Sequence, residues 1–491
     1  MIDGSNGFLP LLTFDGTDSW DTLQRLAAPD LDRNGIARLR KALSGAVKTV
    51  AVERHYIDKD YRDTFSNFYA KRFNTPDSRC VRLHFFRHDG RREDLKRAEK
   101  IQADYLGYAV IRPTRPNCLG RTMLAPEGRK SFSGSLCLCE ETVTLQGTEL
   151  MVRGFPFISQ DADVTVCAHS ALWMLVRYYS NRYALYPETR PYELARLTED
   201  YTLGRWYPSS GLYVWQMTEA LRRLGFNPVT YSREHFQRGF IHYLYTYIES
   251  GIPVIMATEK HALVAFGHQS EYIQPESSPG EISFSSQFNR AFVVNDDNQF
   301  PYQLLRIQEQ KKRSKGVESE FGFKDVVSFI APLAEKIFLP AESFQKVVTK
   351  LLAHKDVGCQ ARSPRLSAAP LVLRLFLTTA RSFKKRLTKR GMGHPDVEEL
   401  YRNLPLPHFI WVCEISHMED YTKNHMIHGE ILWDATRNAY EPEGWIAIHY
   451  PEALMVDLGS AQNQQQQLTE FPLQNSQVYP LYRNNLRDVQ S

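Results

Sequence analysis

The segment from Gln160 to Ser180, QDADVTVCAHSALWMLVRYYS, constrains the fold more than any other part of this sequence. Its apolar residues recur at helical spacing and predict a helix from Cys167 to Tyr179, with Thr165 or Asp163 as the residue that caps it. Cys167 then lies in the first helical turn, where free backbone N–H groups and the positive end of the helix dipole stabilise a thiolate. On its own, this position is equally typical of a small buried residue that begins a core helix.

Two later segments offer the polar side chains that a cysteine nucleophile needs. GIPVIMATEKHALVAFG predicts strands at Pro253–Ala257 and Ala262–Gly267, with His261 in the turn before the second strand. AFVVNDD predicts another strand that ends in Asp296 and Asp297. A cysteine nucleophile requires a histidine to take its proton and a third polar group to orient the imidazole. The sequence therefore offers His261 as the base and a carboxylate at the end of the next strand as its partner.

This order of glutamine, cysteine, apolar helix, second helix, GIPVI strand, histidine strand and aspartate strand resembles the papain-like cysteine peptidases. The likeness is greatest to the bacterial branch that includes the double-glycine leader peptidases and their stand-alone relatives, and it covers roughly Phe155 to Phe300. The resemblance implies a role for each matching position: Cys167 as nucleophile, His261 as base, Asp296 as orienting acid with Asp297 as its alternative, and Gln160 as oxyanion donor.

The sequence departs from the family pattern at three points. Ala168 stands where the family usually has a glycine after the nucleophile, and Gln160 is one residue farther from the cysteine than is common. A Ser- and Pro-rich insertion, HQSEYIQPESSPGEISFSSQ, lengthens the interval between His261 and Asp296. We expect that insertion to be a long loop that folds over the cleft or binds a partner.

The length of 491 residues is too great for one hydrophobic core, so we expect several domains. The predicted class is α+β, with a papain-like cysteine peptidase domain flanked by N-terminal and C-terminal α+β regions. We expect an N-terminal α+β accessory domain at residues 1–150 and the peptidase domain at 151–305. A linker is predicted at 306–325, followed by a C-terminal α+β region with a flexible tail at 326–491.

The composition of the chain limits the classes of partner and the compartment that we expect. The net charge of +4 is too near balance to imply nucleic-acid binding, and the basic run RSFKKRLTKR fits a solvated helix face. We see no signal peptide and no stretch of eighteen apolar residues, so we expect a cytoplasmic protein that does not enter a membrane. Its seven scattered cysteines predict reduced thiols.

We expect no cofactor and no metal. The sequence has no Gly-rich phosphate loop of a recognised type and no complete set of zinc-finger cysteines. HMIHGEILWD places His425, His428, Glu430 and Asp434 close together, but on a strand the two histidines would point to opposite faces. A metal site in this segment is therefore the weaker interpretation.

The expected function is that of a thiol hydrolase that cleaves a peptide or isopeptide bond through an acyl-enzyme at Cys167. Protein or peptide is the expected substrate, and the accessory regions could recruit a partner protein. Two alternatives stay open. One is a transglutaminase-like acyltransferase, because HGEILWDAT is faintly similar to the histidine and aspartate strands of that family. The other is an inactive papain-like fold that serves as a binding or scaffold module.

Overall fold

The computed structural model describes the whole chain except residues 1–8, 17, 28–33, 44, 90–92, 115–118, 130–131, 162, 202–210, 275–277, 279, 309–320, 439–443, 458–467, 475, 484 and 491. Helices and mostly antiparallel strands are mixed through the described residues, which confirms the α+β class. Among those residues, no helix is both long enough and apolar enough to cross a bilayer.

The N-terminal region is built on an antiparallel sheet in the order β1-β2-β3-β4-β5. All seven residues of its strand YLGYAVI are buried, because the strand is central and covered on both faces. A separate hairpin, β7 and β8, follows the sheet. The elements are β1 (Leu11–Thr13), α1 (Asp18–Ala27), α2 (Asn34–Ala42), β2 (Thr49–Tyr56), α3 (Lys59–Asn67), β3 (Cys80–Phe86), α4 (Ala98–Ile101), β4 (Tyr105–Ile111), β5 (Leu119–Leu124), β6 (Ser133–Leu136), β7 (Cys139–Leu145) and β8 (Thr148–Gly154).

The central region contains the predicted cysteine helix and the predicted histidine and aspartate strands. Its elements are α5 (Cys167–Arg182), α6 (Pro191–Arg196), α7 (Val214–Arg223), β9 (Phe226–Ser232), α8 (Arg233–Phe236), α9 (Arg238–Glu249), β10 (Val254–Ala257), β11 (Ala262–Ser270), β12 (Ile282–Phe284), β13 (Asn289–Asn295), β14 (Gln303–Arg306) and β15 (Ser328–Ala334). The central sheet runs β14-β13-β11-β10-β15-β9, and β6 also pairs with β11.

The central sheet is covered on both faces because its side chains alternate in direction. On β11, Val264 and Phe266 face the core that contains α5 and the N-terminal region, whereas Leu263 and Ala265 face the core shared with α9 and the C-terminal sheet. Helix α5 lies inside the first core, and all of its residues from Ala168 to Tyr179 are buried. The cysteine helix is thus a central helix rather than an amphipathic surface helix.

The C-terminal region holds a second large sheet in the order β12-β16-β17-β19-β20-β21-β22. Its elements are α10 (Ala341–Leu352), α11 (Cys359–Arg362), α12 (Pro364–Ser367), β16 (Leu371–Thr379), α13 (Ala380–Arg390), α14 (Pro395–Asn403), β17 (Phe409–His417), β18 (Met426–Ile427), β19 (Gly429–Asp434), β20 (Trp445–Tyr450), β21 (Ala453–Asp457), β22 (Leu468–Pro472), β23 (Tyr479–Pro480) and β24 (Arg487–Gln490).

Strand pairing crosses the predicted domain limits at three places. Strand β15 lies beyond residue 305 yet pairs with β10 and β9 in the central sheet. The insertion predicted as a loop contains β12, which pairs with β16 of the C-terminal sheet instead of covering a cleft. The tail predicted to be flexible ends in β24, which pairs with β6, while residues 458–467 lie outside the described residues. Most of the predicted linker, residues 309–320, also lies outside them.

Candidate active site

The loop that leads into α5 is held by one buried carboxylate. Asp161 Oδ1 accepts hydrogen bonds from the backbone N–H groups of Asp163, Val164 and Thr165, at 3.1, 2.8 and 2.8 Å. Asp161 is not among the site residues predicted from the sequence, although an aspartate whose carboxylate accepts hydrogen bonds from the backbone a few residues ahead is a common turn former. This turn fixes the position at which α5 begins, and therefore the position of Cys167.

The predicted helix caps are wrong. Val166 is the N-cap residue, in an extended conformation, whereas Asp163 forms an ion pair with Arg72 at 2.8 Å. Thr165 Oγ1 accepts from a loop N–H rather than from the helix. The backbone N–H of Val166 donates to Nδ1 of His169 at 3.4 Å. Burial lowers the pKa of His169 to about 4, so this imidazole stays neutral. It accepts a hydrogen bond at the start of the helix instead of acting on the Cys167 thiol.

Cys167 is the first residue of α5 and is half-buried. His261 lies in the turn between β10 and β11, and the Cys167 thiol is one of the groups that raise the pKa of its imidazole. The turn is rigid, since Thr258 Oγ1 accepts from the His261 N–H at 3.0 Å and the Thr258 N–H donates to the His261 carbonyl at 2.8 Å. The His261 side chain is only 7% exposed. The thiol and the imidazole therefore come from two distant segments of the chain.

The other side of the imidazole faces a carboxylate. His261 Nε2 lies 2.8 Å from Asp296 Oδ1 and 3.6 Å from Asp297 Oδ1. Because Asp296 occupies Nε2, Nδ1 is the ring nitrogen left for Cys167. Burial by itself would lower the pKa of His261, but the hydrogen bonds with Asp296 and Cys167 and the charges of Asp296 and Asp297 raise it to about 10. The imidazole is therefore a cation at neutral pH.

The two adjacent aspartates have different surroundings. Asp297 is fully buried, and this burial raises the pKa of its carboxyl to about 7, although the His261 charge opposes the shift. Its Oδ2 accepts from the backbone N–H of Gln160 at 3.2 Å. Asp296 makes the direct hydrogen bond to the imidazole, so the geometry favours Asp296 as the orienting group. Asp297 lies farther from the ring and contributes its charge.

Gln160 is hydrogen-bonded to the turn that contains Asp296, Asp297 and Asn298, which we term the aspartate turn. Its Nε2 donates to Asn298 Oδ1 at 2.8 Å, and the Asn298 backbone N–H donates to Asp296 Oδ1 at 3.0 Å. A side-chain amide has two N–H groups, so the bond to Asn298 leaves one for an incoming oxyanion. The predicted donor is thus positioned by the turn that holds the orienting carboxylate.

Two further residues complete the site, and no sequence pattern indicates the first. The ring of Phe321 stacks on His261 with a centroid distance of 5.1 Å and an interplanar angle of 17°. Asn295, at the end of β13, donates to the Pro156 carbonyl at 3.1 Å and accepts from the Tyr302 N–H at 3.0 Å. Asn295 therefore anchors the loop before Cys167 to the aspartate turn.

The structure brings together four of the predicted site residues, which we term the Cys–His–Asp cluster: Cys167, His261, Asp296 and Asp297. The ligand atoms of its histidine and aspartates lie within 4.8 Å of one another, a spacing that a metal ion could bridge. A metal needs a neutral imidazole, however, and the pKa of about 10 keeps the proton on His261 at neutral pH. The cluster is better suited to pairing a thiolate with an imidazolium.

The segment behind the transglutaminase-like alternative lies elsewhere. HGEILWDAT spans β19 in the C-terminal sheet, where His428 contacts His417 and Asp420. That segment does not supply the histidine that contacts Cys167.

No family model, no curated protein and no solved structure matches the chain.

Proposed function

We propose that this protein is a thiol hydrolase of the papain-like type, which cleaves a peptide or isopeptide bond through an acyl-enzyme at Cys167. The observation that carries the proposal is the hydrogen bond between His261 Nε2 and Asp296 Oδ1 at 2.8 Å, and the Cys167 thiol also raises the pKa of this imidazole. A half-buried cysteine at a helix start, an imidazole against it and a buried carboxylate behind the imidazole are the parts that nucleophilic acyl transfer requires.

In the first step, the Cys167 thiolate attacks the carbonyl carbon of the scissile bond and the carbonyl π electrons move to the oxygen. The backbone N–H groups at the start of α5 and the second amide N–H of Gln160 are the donors available to that oxyanion. The His261 imidazolium then gives its proton to the departing amine as the C–N bond breaks. Asp296 keeps the ring oriented throughout.

In the second step, His261 is neutral and takes a proton from water while the water oxygen attacks the thioester carbon. The C–S bond breaks, the carboxylic acid leaves, and the Cys167 thiolate is restored beside the imidazolium. The raised pKa of His261 favours this resting ion pair. Because the imidazolium is already in place, the thiol needs no external base.

The test uses a peptide p-nitrophenyl ester as an acylating probe on the full-length protein. We expect a burst of nitrophenol, a mass increase on the peptide that contains Cys167, and loss of turnover by about 10²–10⁴-fold in His261→Ala. His408→Ala is the matched control, because His408 is an exposed histidine outside the cluster. That variant should turn over the ester like the unmodified protein.

Two other results of this experiment would each identify one of the alternative functions. Slow labelling of Cys167 that is unchanged in His261→Ala would mean that the two side chains do not act together, and the binding-module interpretation would replace the hydrolase. Acylation followed by transfer to an added amine, with no release to water, would identify an acyltransferase.

A further inference from the structure

A second group of metal-ligating side chains lies in the C-terminal sheet, in the loop between β17 and β19. We term His417, Asp420 and His428 the hairpin cluster. Their ligand atoms all lie within 4.8 Å of one another. His428 Nε2 is 3.4 Å from Asp420 Oδ2, and the two imidazole rings are 4.0 Å apart between centroids. Such separations are close to those between donor atoms that share one metal ion.

The hairpin itself produces this arrangement. Ile415 pairs with Gly429 in the ladder, and the His428 N–H donates to the Ile415 carbonyl at 2.9 Å, so the two histidines flank the ends of the loop. Between them, residues Asp420–Asn424 form a π-helix that ends at His425 in the left-handed conformation, with φ of 54°. π-helical turns are rare and occur often at functional sites.

This geometry also corrects the sequence interpretation of HMIHGEILWD. His425 is not on a strand, and it does not join His428, Glu430 and Asp434 in one set. The partners of His428 are His417 and Asp420, which lie before the segment that the sequence singled out.

The hydrogen bonds around the two rings leave nitrogen atoms for a metal. His428 Nε2 faces the carboxylate, 3.4 Å from Asp420 Oδ2. His417 Nε2 donates to the Leu366 carbonyl at 3.2 Å, which leaves the lone pair of its Nδ1 for a ligand. A backbone carbonyl that orients a ligating histidine in this way is usual around metal sites.

One contact must change when a metal binds. The His417 backbone N–H lies 3.4 Å from His428 Nδ1, which accepts a hydrogen bond there. Coordination through His428 Nε2 places the proton on Nδ1 and removes that contact. A hydrogen bond of this length is weak, so its loss costs little beside a metal–ligand bond.

From this geometry we propose that His417, Asp420 and His428 bind one divalent transition-metal ion, with Zn²⁺ as the best match. Two imidazoles and one carboxylate form the donor set of open zinc sites and of related metal sites with water in the remaining positions. The side chains of Asp420 and His428 are 29% and 13% exposed, so water can reach the ion. The ion would join the two ends of the β17–β19 hairpin, independently of the thiol chemistry.

The experiment is a Zn²⁺ titration of the full-length protein, stripped of metal by a chelator and then dialysed, in competition with a chromophoric chelator. We expect one Zn²⁺ per chain. His428→Ala and the nearly isosteric Asp420→Asn should each weaken binding by at least about 100-fold, since loss of an outer partner alone costs about 10–100-fold. Circular dichroism of each variant checks that the fold is kept.

Two control variants and a second metal decide where the ion binds. His408→Ala removes an exposed histidine, and His261→Ala disrupts the Cys–His–Asp cluster; both should bind Zn²⁺ like the unmodified protein. Bound Co²⁺ should show visible d–d bands without a thiolate charge-transfer band, because the hairpin cluster contains no sulfur. The proposal is overturned by absence of Zn²⁺ binding, by unchanged affinity in both hairpin variants, or by a thiolate band that disappears in His261→Ala.

Discussion

The Cys–His–Asp cluster and the hairpin cluster both combine histidine with aspartate, but His261 and His428 are in opposite charge states. In the first, a carboxylate lies 2.8 Å from His261 Nε2 and a second lies 3.6 Å away, and the pKa of His261 is raised to about 10. In the second, His428 has one carboxylate at 3.4 Å and another imidazole beside it, and its pKa is lowered to about 4. One histidine is a cation at pH 7 and the other is a free base.

The difference follows from the balance of burial against nearby negative charge. Burial disfavours the imidazolium at both places. At His261, two carboxylates and the thiol outweigh it, whereas at His428 the single carboxylate does not, and His417 adds to the effect of burial. An imidazolium can stabilise a thiolate and protonate a leaving group, whereas a neutral imidazole can ligate a metal. The residue types alone therefore do not define the chemistry.

The largest expected contrast is in the titration of the two rings. Their pKa values of about 10 and about 4 differ by about six units. Histidine-ring NMR of selectively labelled protein should show His261 protonated and His428 neutral throughout the range from about pH 5 to about pH 9. His261→Gln and His428→Gln assign the signals. Midpoints near 6.5 for both rings would remove the distinction between the clusters.

A smaller effect should separate the two aspartates. Asp296→Asn removes the carboxylate bonded to His261 and should lower kcat/KM for the activated ester by about a hundredfold or more. Asp297→Asn keeps an oxygen for the Gln160 N–H and should change it by no more than about threefold. If Asp297→Asn were the more damaging variant, the orienting role would pass to Asp297.

The smallest effect concerns Phe321, whose ring covers His261. A cation over a phenyl face gains about 0.5–1 kcal/mol, and one pKa unit corresponds to about 1.36 kcal/mol. Phe321→Ala should therefore lower the pKa of His261 by less than about one unit. Phe321→Leu fills the space without an aromatic face and should lower it equally. An unchanged pKa of His261 in Phe321→Leu would mean that the aromatic face does not stabilise the imidazolium.

Local sequence patterns were sufficient for the elements that carry the candidate site. The helical spacing after Cys167 predicted α5, and the alternating and β-branched runs around His261 and Asp296 predicted β10, β11 and β13. These signals depend on residues a few positions apart, so the sequence contains them in full. The α+β class follows from the same patterns.

Other features were decided by contacts between distant segments. The choice between Asp296 and Asp297 depends on about one ångström at the end of a strand, and Phe321 reaches His261 from outside the predicted peptidase range. The hairpin cluster depends on a π-helix and a left-handed residue that the spacing of His425 and His428 did not reveal.

The sequence by itself thus determined the helix and the strands that carry the candidate site and the residue types that stand at their ends. The tertiary structure decided which of those side chains meet and which are protonated. Strand pairing, burial and the number of carboxylates around each imidazole are properties of the folded chain, because they arise only when distant segments exclude water together.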